Sequence, residues 1–420
     1  MVEILPEKQR QFAVDVVQKL RSAGFEAYWA GGCVRDELLG RVPNDYDVAT
    51  NATPNEIRKL FTRRRTLAIG ASFGVITVLG GQGAGQVEVA TFRQDATYTD
   101  GRHPDSVKFS TAECDATRRD FTINGLFFDP IDNRVIDFVG GQPDIELAVV
   151  RAIGDPQKRF EEDKLRMLRA VRFAATLEFA LDDETLSTVK QMADKVTVVS
   201  VERIATEVRR MLTDPHCVVA VRFLLETGLA AVILPEIVPS DDAGWRRMEH
   251  TLSMLDRLRQ PSFALALATL LCDWGDSHTA EAICRRWRLS NGDTDRVEWL
   301  IAHRGSLDDA KSIRWSILHE ILVADGIDDL LSLESTVSMV DGLSAAHLDY
   351  CRECLKQPRD VLDPTPLLTG DDLIAHGKQP GPMFRVVLQR VRHAQLDKEI
   401  DTPAEALALA DDIMSKEDNE

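Results

Sequence analysis

Two aspartates separated by one residue, Asp45 and Asp47, follow shortly after a Gly31-Gly32 pair and Arg35. Read as a strand, residues 44–50 send Asp45 and Asp47 to one side and Tyr46 and Val48 to the other. Two carboxylates this close repel, and a divalent cation relieves that cost. Hard oxygen ligands suit Mg²⁺. A Gly-Gly turn lets the backbone approach a phosphate, which the N–H groups that follow and Arg35 could hold. A phosphate cradle beside metal-binding carboxylates is what nucleotidyl transfer requires, with the metal activating the attacking hydroxyl and stabilising the departing pyrophosphate. Each half alone is a weak signal. A pair of aspartates is as readily a solvated turn, and Gly-Gly is common in loops.

The flanking sequence supplies elements that can position these groups. Apolar residues at helical spacing (Phe12, Val16, Val17, Leu20) end at Gly24, which reads as a helix C-cap. Residues 27–30 form a short buried strand running into the Gly-Gly turn. Thr53-Pro54 starts a helix through Phe61. Residues 74–79 and 86–92 read as strands, with Glu88 and Ala90 on one face of the second and Val87 and Val89 on the other. Glu88 is then either an edge carboxylate facing water or a third carboxylate beside Asp45 and Asp47. Residues 94–106 are polar and aperiodic, the pattern of a mobile loop. Residues 134–141 are the last strand and turn of this first region.

Two later stretches also carry chemistry. Arg118 and Arg119 precede Asp120, with Asn124 four residues on. Arginine suits bidentate contact with a triphosphate, but the same residues describe a surface pair neutralised by Asp120. Residues 160–173 read as one helix with Leu165, Leu168 and Val171 on its apolar face. Asp163 and Arg166, at i, i+3, share another face, and Arg169 and Arg172 continue the stripe. By itself this is a solvated salt-bridge face.

These motifs together resemble the class II tRNA nucleotidyltransferase and bacterial poly(A) polymerase family. The resemblance rests on the GGxVRDxLLG signature at residues 31–40 with the aspartate pair after it. It extends to RRDFTxNA at residues 118–125 (Gly125 replacing the alanine) and EDxxRxxRAxRF at residues 162–173. It is strong over residues 25–175 and weaker beyond. It implies Asp45 and Asp47 as catalytic Mg²⁺ ligands, assisted by Glu88. It also implies a nucleotide site comprising Gly31, Gly32, Arg35, Arg118, Arg119, Asp120, Asn124, Asp163, Arg166, Arg169 and Arg172. The glycine at 125 is expected to weaken a helix without touching the chemistry. The stretch carrying Tyr98, Gly101, Arg102 and Pro104 resembles the family's flexible-loop segment FRxxxxYxDxRxP, needed for adding the terminal A.

In the family the Asp163/Arg166 pair reads the incoming base. The chemistry is transparent. A carboxylate accepts from an exocyclic amine, and a guanidinium donates to the adjacent ring nitrogen. Cytosine and adenine offer that pair of groups. Uracil and guanine present a carbonyl and a ring N–H instead, and would leave both charged groups unpaired. The resemblance therefore implies CTP and ATP as substrates and addition of C, C and A to the tRNA 3′ end. Poly(A) polymerases of the family carry a basic doublet between a glycine and a phenylalanine, where this chain has Gly70-Ala71-Ser72-Phe73. An enzyme adding only the terminal A is a further alternative.

At 420 residues the chain is long enough for two to four domains, and 44% hydrophobic content can fill sizeable cores. No apolar run reaches the length of a membrane span, and the N-terminus has no signal-peptide segment. Seven scattered cysteines point to reduced thiols in a cytoplasm, and the Cys351/Cys354 pair has no second pair to complete a zinc site. A net charge of −18 excludes blanket nucleic-acid binding, so basic residues must be concentrated locally. The helix from Ser200 carries Arg203, Arg209 and Arg210 and resembles the segment where tRNA begins to be held.

The expected architecture is an α/β nucleotidyltransferase head, with a small mixed sheet and helices, over residues 1–141. An all-α neck (142–212), body (213–357) and tail (358–420) follow, with a linker at 358–366 and a frayed acidic end. His250, Asp273 and His303 resemble parts of an HD phosphohydrolase metal set, with Cys272 where the paired histidine belongs. A thiol is a poor hard-metal ligand, so the body reads as a degenerate HD-like scaffold. No membrane and no obligate protein partner is expected.

Overall fold

The computed structural model describes residues 4–95 and 107–417. It divides into two compact units, Met1–Val238 and Pro239–Glu420. The proposed loop residues Tyr98, Gly101, Arg102 and Pro104 lie outside the described residues, as does the end of the acidic terminus.

The first unit opens with helix α1 (Pro6–Ser22), strand β1 (Ala27–Ala30), helix α2 (Gly32–Leu38) and strand β2 (Asp47–Thr50). Helix α3 (Pro54–Phe61) follows, started by Thr53 and Glu56, each side chain accepting from the other's backbone N–H. Strands β3 (Thr66–Leu67), β4 (Val75–Leu79) and β5 (Gln86–Thr91) come next, then a hairpin of β6 (Arg93–Asp95) and β7 (Val107–Phe109). Helix α4 (Ala112–Thr117), β8 (Phe127–Asp129) and β9 (Arg134–Ile136) complete this region. Among the described residues, seven strands form one mixed sheet in the order β3-β4-β5-β2-β1-β8-β9. β2 and β5 pair in parallel, and Asp47 lies opposite Glu88.

The sheet buries its alternating apolar residues as the sequence pattern demands. Val48, Val87 and Val89 are fully buried with Ala13, Val16, Val17 and Leu20 of α1 and Ile57 of α3. Trp29 and Tyr46 meet at 4.8 Å within this core. Ala30, Ala49, Phe92 and Phe127 belong to a second cluster with Ala112 and Ala116 of α4. Burying side chains of this size contributes about 1.5–3 kcal/mol each, which fixes β2 and the turn before α2 in place.

Helix α5 (Gly141–Glu146), β10 (Val149–Val150), α6 (Pro156–Glu162), α7 (Leu165–Leu177) and β11 (Ala180–Leu181) lead into α8 (Asp183–Met192) and α9 (Val201–Leu212). Helices α10 (Cys217–Glu226) and α11 (Leu229–Ile233) close the unit. Two expectations are corrected here. Residues 160–173 are not one helix. Asp163 is extended (φ −146°, ψ 105°) and divides α6 from α7. Its carboxylate accepts from the Leu165 N–H at 3.0 Å, a local bond that competes with the helix. Nor does Gly125 weaken a helix. It ends a 3₁₀ turn (Thr122–Asn124), and a Cβ there would lie 2.6 Å from Val139 Cγ2. The glycine is a packing requirement.

In the second unit the described elements are helical. They are α12 (Asp242–Leu255), α13 (Phe263–Leu271), α14 (Ser277–Arg286), α15 (Asn291–Ala302), α16 (Trp315–Leu322) and α17 (Ile327–Asp341). Helices α18 (Ala346–Leu355), α19 (Arg359–Leu362), α20 (Gly370–Ala375), α21 (Pro382–Leu396) and α22 (Pro403–Glu417) follow. The expected linker at 358–366 contains α19, and Asp363 is tied to Arg392 at 2.7 Å. The acidic pair Asp411-Asp412 lies inside α22 rather than in a frayed tail. Among the described residues no helix is long and apolar enough to cross a membrane.

Candidate active site

One cleft in the first unit, of about 600 Å³, is lined by thirteen of the fourteen expected residues: Gly31, Gly32, Arg35, Asp45, Asp47, Arg118, Arg119, Asp120, Asn124, Asp163, Arg166, Arg169 and Arg172. Glu88 is the exception. It is exposed on β5 beside Asp47 and does not line the cleft. Among the described residues, eight arginines and four aspartates form the lining, so the site is locally cationic in an acidic protein. A cationic cleft suits a polyanionic ligand.

The turn comes first. Gly31 adopts φ 76°, ψ −131°, left-handed backbone that glycine tolerates without strain. A Cβ at Gly31 would sit 2.8 Å from Arg119 Nη1, so the glycine also makes room for that guanidinium. Arg35, buried on α2, donates to Asn124 Oδ1 at 2.7 Å and to Asp36 Oδ1. That bond ties the turn to the 3₁₀ segment carrying Asn124.

Asp47 begins β2, and Asp45 lies just before the strand. Asp47 keeps solvent-accessible surface, yet the protein around it, then the charges of Asp45 and Glu88, push its carboxyl up to about 7; Arg119 acts in the opposite direction. The three carboxylates are thus an under-compensated negative group. Among the described residues no three side chains form a ready-made metal cluster. Two carboxylates completed by substrate phosphates and water are the donor set that Mg²⁺ usually takes, so the pair fits such an ion.

The arginines are held by acids. Arg118 and Arg119 both donate to Asp115, with Nη2 distances of 2.7 and 3.0 Å. Asp120 accepts from Arg169 Nε and Nη2 at 2.8 and 2.6 Å and from Asn124 Nδ2 at 3.1 Å. Burial pushes the Asp120 carboxyl up, but the charge and hydrogen bonds of Arg169 outweigh it and hold the group well below the usual range. Asp120 therefore acts here through Arg169 and Asn124. Arg172 donates to Glu207 Oε2 at 2.6 Å.

Asp163 and Arg166 line the same cleft, but each is engaged elsewhere. Asp163 pairs with Arg203 on α9, Nη2 to Oδ2 2.6 Å. Arg166 donates to Glu162 at 2.5 Å, to the Arg159 carbonyl at 2.9 Å and to the Arg118 carbonyl at 3.1 Å. The expected helix face shared by Asp163 and Arg166 is replaced by a carboxylate at a helix break and a guanidinium at the second residue of α7.

A family model for the poly A polymerase head domain matches residues 27–151. A second, described as the probable RNA and SrmB-binding site of polymerase A, matches residues 178–240. The CCA-adding enzyme of Lactobacillus helveticus is 33% identical over 400 residues, covering 94% of this chain and 95% of that protein. The chain belongs to the CCA-adding enzyme family. It is also similar to the Bacillus stearothermophilus CCA-adding enzyme solved in complex with CTP, with 29% identity, a TM-score of 0.77, and 98% of this chain and 99% of that one covered. The Thermotoga maritima CCA-adding enzyme complexed with tRNA shares the fold at 18% identity, with a TM-score of 0.62 and 97% and 95% of the two chains covered.

In this member of the CCA-adding family, sequence reasoning missed Asp115, Arg203, Glu207 and Arg210 as parts of the site. Arg203 and Arg210 line the cleft. Arg203 was legible only as a basic residue of a helix. Asp115 precedes Arg118 and Arg119 by three and four residues, the spacing of helical ion pairs, and that was the available signal.

The HD-like residues of the second unit make no metal site. His250 Nδ1 meets Asp273 Oδ2 at 2.8 Å, and its Nε2 meets Asp341 Oδ1 at 2.9 Å. Asp273 Oδ1 is taken by Arg304 at 2.6 Å, and the same guanidinium nitrogen donates to the Cys272 carbonyl. Burial pushes the Cys272 thiol up to about 12, so it is not a thiolate ligand. His303 is turned onto Trp299, stacked at 4.4 Å.

Proposed function

We propose that this chain is a tRNA nucleotidyltransferase that adds C, C and A to the tRNA 3′ end from CTP and ATP, releasing pyrophosphate. The observation that carries the reading is convergence. One cationic cleft gathers the Asp45/Asp47 pair, the guanidiniums beside the Gly31 turn, and the Asp163/Arg166 pair. Template-independent nucleotidyl transfer from a selected nucleotide needs all three.

Asp45 and Asp47 would hold a divalent cation, in our reading Mg²⁺, which lowers the pKa of an attacking hydroxyl and neutralises the leaving phosphates. Glu88 contributes its charge at Asp47 rather than a direct contact. Gly31 and Gly32 let the triphosphate approach the backbone, and Arg118 and Arg119 donate to its oxygens. Arg35 and Asn124 hold the turn, and Asp120, Arg169 and Arg172 hold the start of α7. Asp163 would accept from the amine of cytosine or adenine and Arg166 would donate to the adjacent ring nitrogen. Both must trade protein partners, Arg203 and Glu162, for the base. That exchange is affordable only for a base that satisfies both groups, which disfavours UTP and GTP.

The fourfold division at 141/142, 212/213 and 357/358 belongs to this reading, as does a degenerate HD-like body acting as scaffold. All seven cysteines are free thiols, which supports a reducing, cytoplasmic setting.

The test is extension of tRNA transcripts ending at the discriminator base, at C and at CC, resolved to single nucleotides. The expected result is growth of the first by C, C and A followed by a stop. Extension of only the CC-ending transcript, with ATP, would make it an A-adding enzyme. Long A tails on all three would make it a poly(A) polymerase.

A further inference from the structure

The two guanidiniums assigned to the triphosphate share one anchor that the proposed reaction does not itself call for. Asp115 lies on α4 and is 1% exposed. Its Oδ1 accepts from Arg118 Nε at 2.9 Å and Nη2 at 2.7 Å. Its Oδ2 accepts from Arg119 Nη2 at 3.0 Å and Nε at 3.3 Å. Two N–H groups of each guanidinium converge on one carboxylate oxygen, which fixes the edge that each arginine turns to Asp115 and the distance at which it is held. Oδ1 also accepts from the Arg93 backbone N–H at 3.3 Å, the first residue of β6. One carboxylate thus joins both arginines to the base of the β6–β7 hairpin.

A buried carboxylate facing two cations on adjacent residues also solves an electrostatic problem. Arg118 and Arg119 repel each other, and an anion between them offsets that repulsion. Asp115 holds them together in the absence of nucleotide, both residues line the cleft, and Arg119 Nη1 also donates to the Asn124 carbonyl at 3.3 Å. Arg119 then lies where a Cβ of Gly31 would be, beside the proposed phosphate turn.

We propose that Asp115 is a positioning residue for nucleotidyl transfer, pre-aligning Arg118 and Arg119 for the triphosphate of the incoming nucleotide. This rests on those arginines being triphosphate ligands. Asp115 touches neither substrate nor metal. Its contribution is the ordering of two flexible side chains before substrate arrives, so that less freedom is lost on binding.

The experiment compares equilibrium binding of CTP and of CMP to the full chain in Mg²⁺, for the wild type and for Asp115→Asn, Arg118→Ala and Arg119→Ala. Asparagine keeps the size of the side chain but turns an NH₂ group toward a guanidinium. The expected result for Asp115→Asn is CTP affinity about tenfold weaker, with CMP changed less than about twofold. The KM for CTP in single-C addition should rise in parallel while the KM for tRNA stays put. Equal weakening of CTP and CMP, or no weakening of either, overturns the proposal and leaves Asp115 as a structural ion-pair residue. If Arg118→Ala and Arg119→Ala both fail to weaken CTP selectively, the assignment of those arginines fails instead. Asp115→Glu is the second variant, in case the asparagine does not fold. It keeps the charge but displaces both guanidiniums, and the same CTP-against-CMP criterion decides its outcome.

Discussion

Replacing Asp47 by asparagine removes a charge while preserving shape. Asp47 stands among carboxylates whose repulsion a divalent cation would relieve, so the substitution tests the metal assignment. The expected loss is about 10²- to 10³-fold in the rate of C addition, the range seen when one pre-aligned electrostatic group is removed. Binding of tRNA, measured by gel shift, should be unchanged. Equal loss of both would move Asp47 from chemistry to folding. At this scale the sequence was informative wherever a motif names both residue type and spacing. It offered only an ion-pair spacing for Asp115 and nothing that set Glu207 apart, because a buried acid between arginines looks identical on paper to a solvated one.

Elements decide how those residues face one another. The break at Asp163 is the clearest case. Apolar spacing runs on through Leu165, Leu168 and Val171, so periodicity predicts one helix, while a single aspartate bonding to the Leu165 N–H divides it. Alternation in β5, by contrast, was fully legible, because a half-buried strand has a period of two and no competing local bond. Helix α7 is anchored through Arg169 to Asp120, whose carboxyl is held below its ordinary range. An acid with a depressed native pKa stabilises the fold above its unfolded value, near 3.9, and that contribution disappears as pH falls through the native one. Acid titration of the wild type should therefore lose stability below about pH 4. In Asp120→Asn that part of the slope should be absent, with lower stability near neutrality. An unchanged slope, followed by circular dichroism, would show that the Asp120–Arg169 pair does not couple folding to protons.

On the scale of the whole chain, a net charge of −18 coexists with one cleft lined by eight arginines among the described residues. Composition could state that requirement but not locate it, since the arginines come from α2, the turn after α4, α7 and α9. In the second unit the residues of a motif are taken up by protein partners, and the proposed reading is a scaffold. The Arg304 guanidinium supplies the positive charge that Asp273 would otherwise share with a metal. Full-length protein with Mn²⁺ or Ni²⁺ is expected to release no nitrophenol from bis(p-nitrophenyl) phosphate. Arg304→Ala should lower the Tm of this unit by about 2–4 °C, since it leaves Asp273 without its cation. Metal-dependent hydrolysis by the wild type would refute the scaffold reading.

The Arg118 peptide has a double attachment. Its side chain is held for the phosphates, and its carbonyl accepts from Arg166, the guanidinium assigned to the base. In the proposed reading, letter and energy source of each addition would be sensed on either side of one α-carbon. A matching base, by drawing Arg166 off its protein partners, would free that carbonyl, whereas a base with the wrong edge would leave the bond in place. In such an arrangement the fit of the base would be felt at the peptide that carries a ligand of its triphosphate.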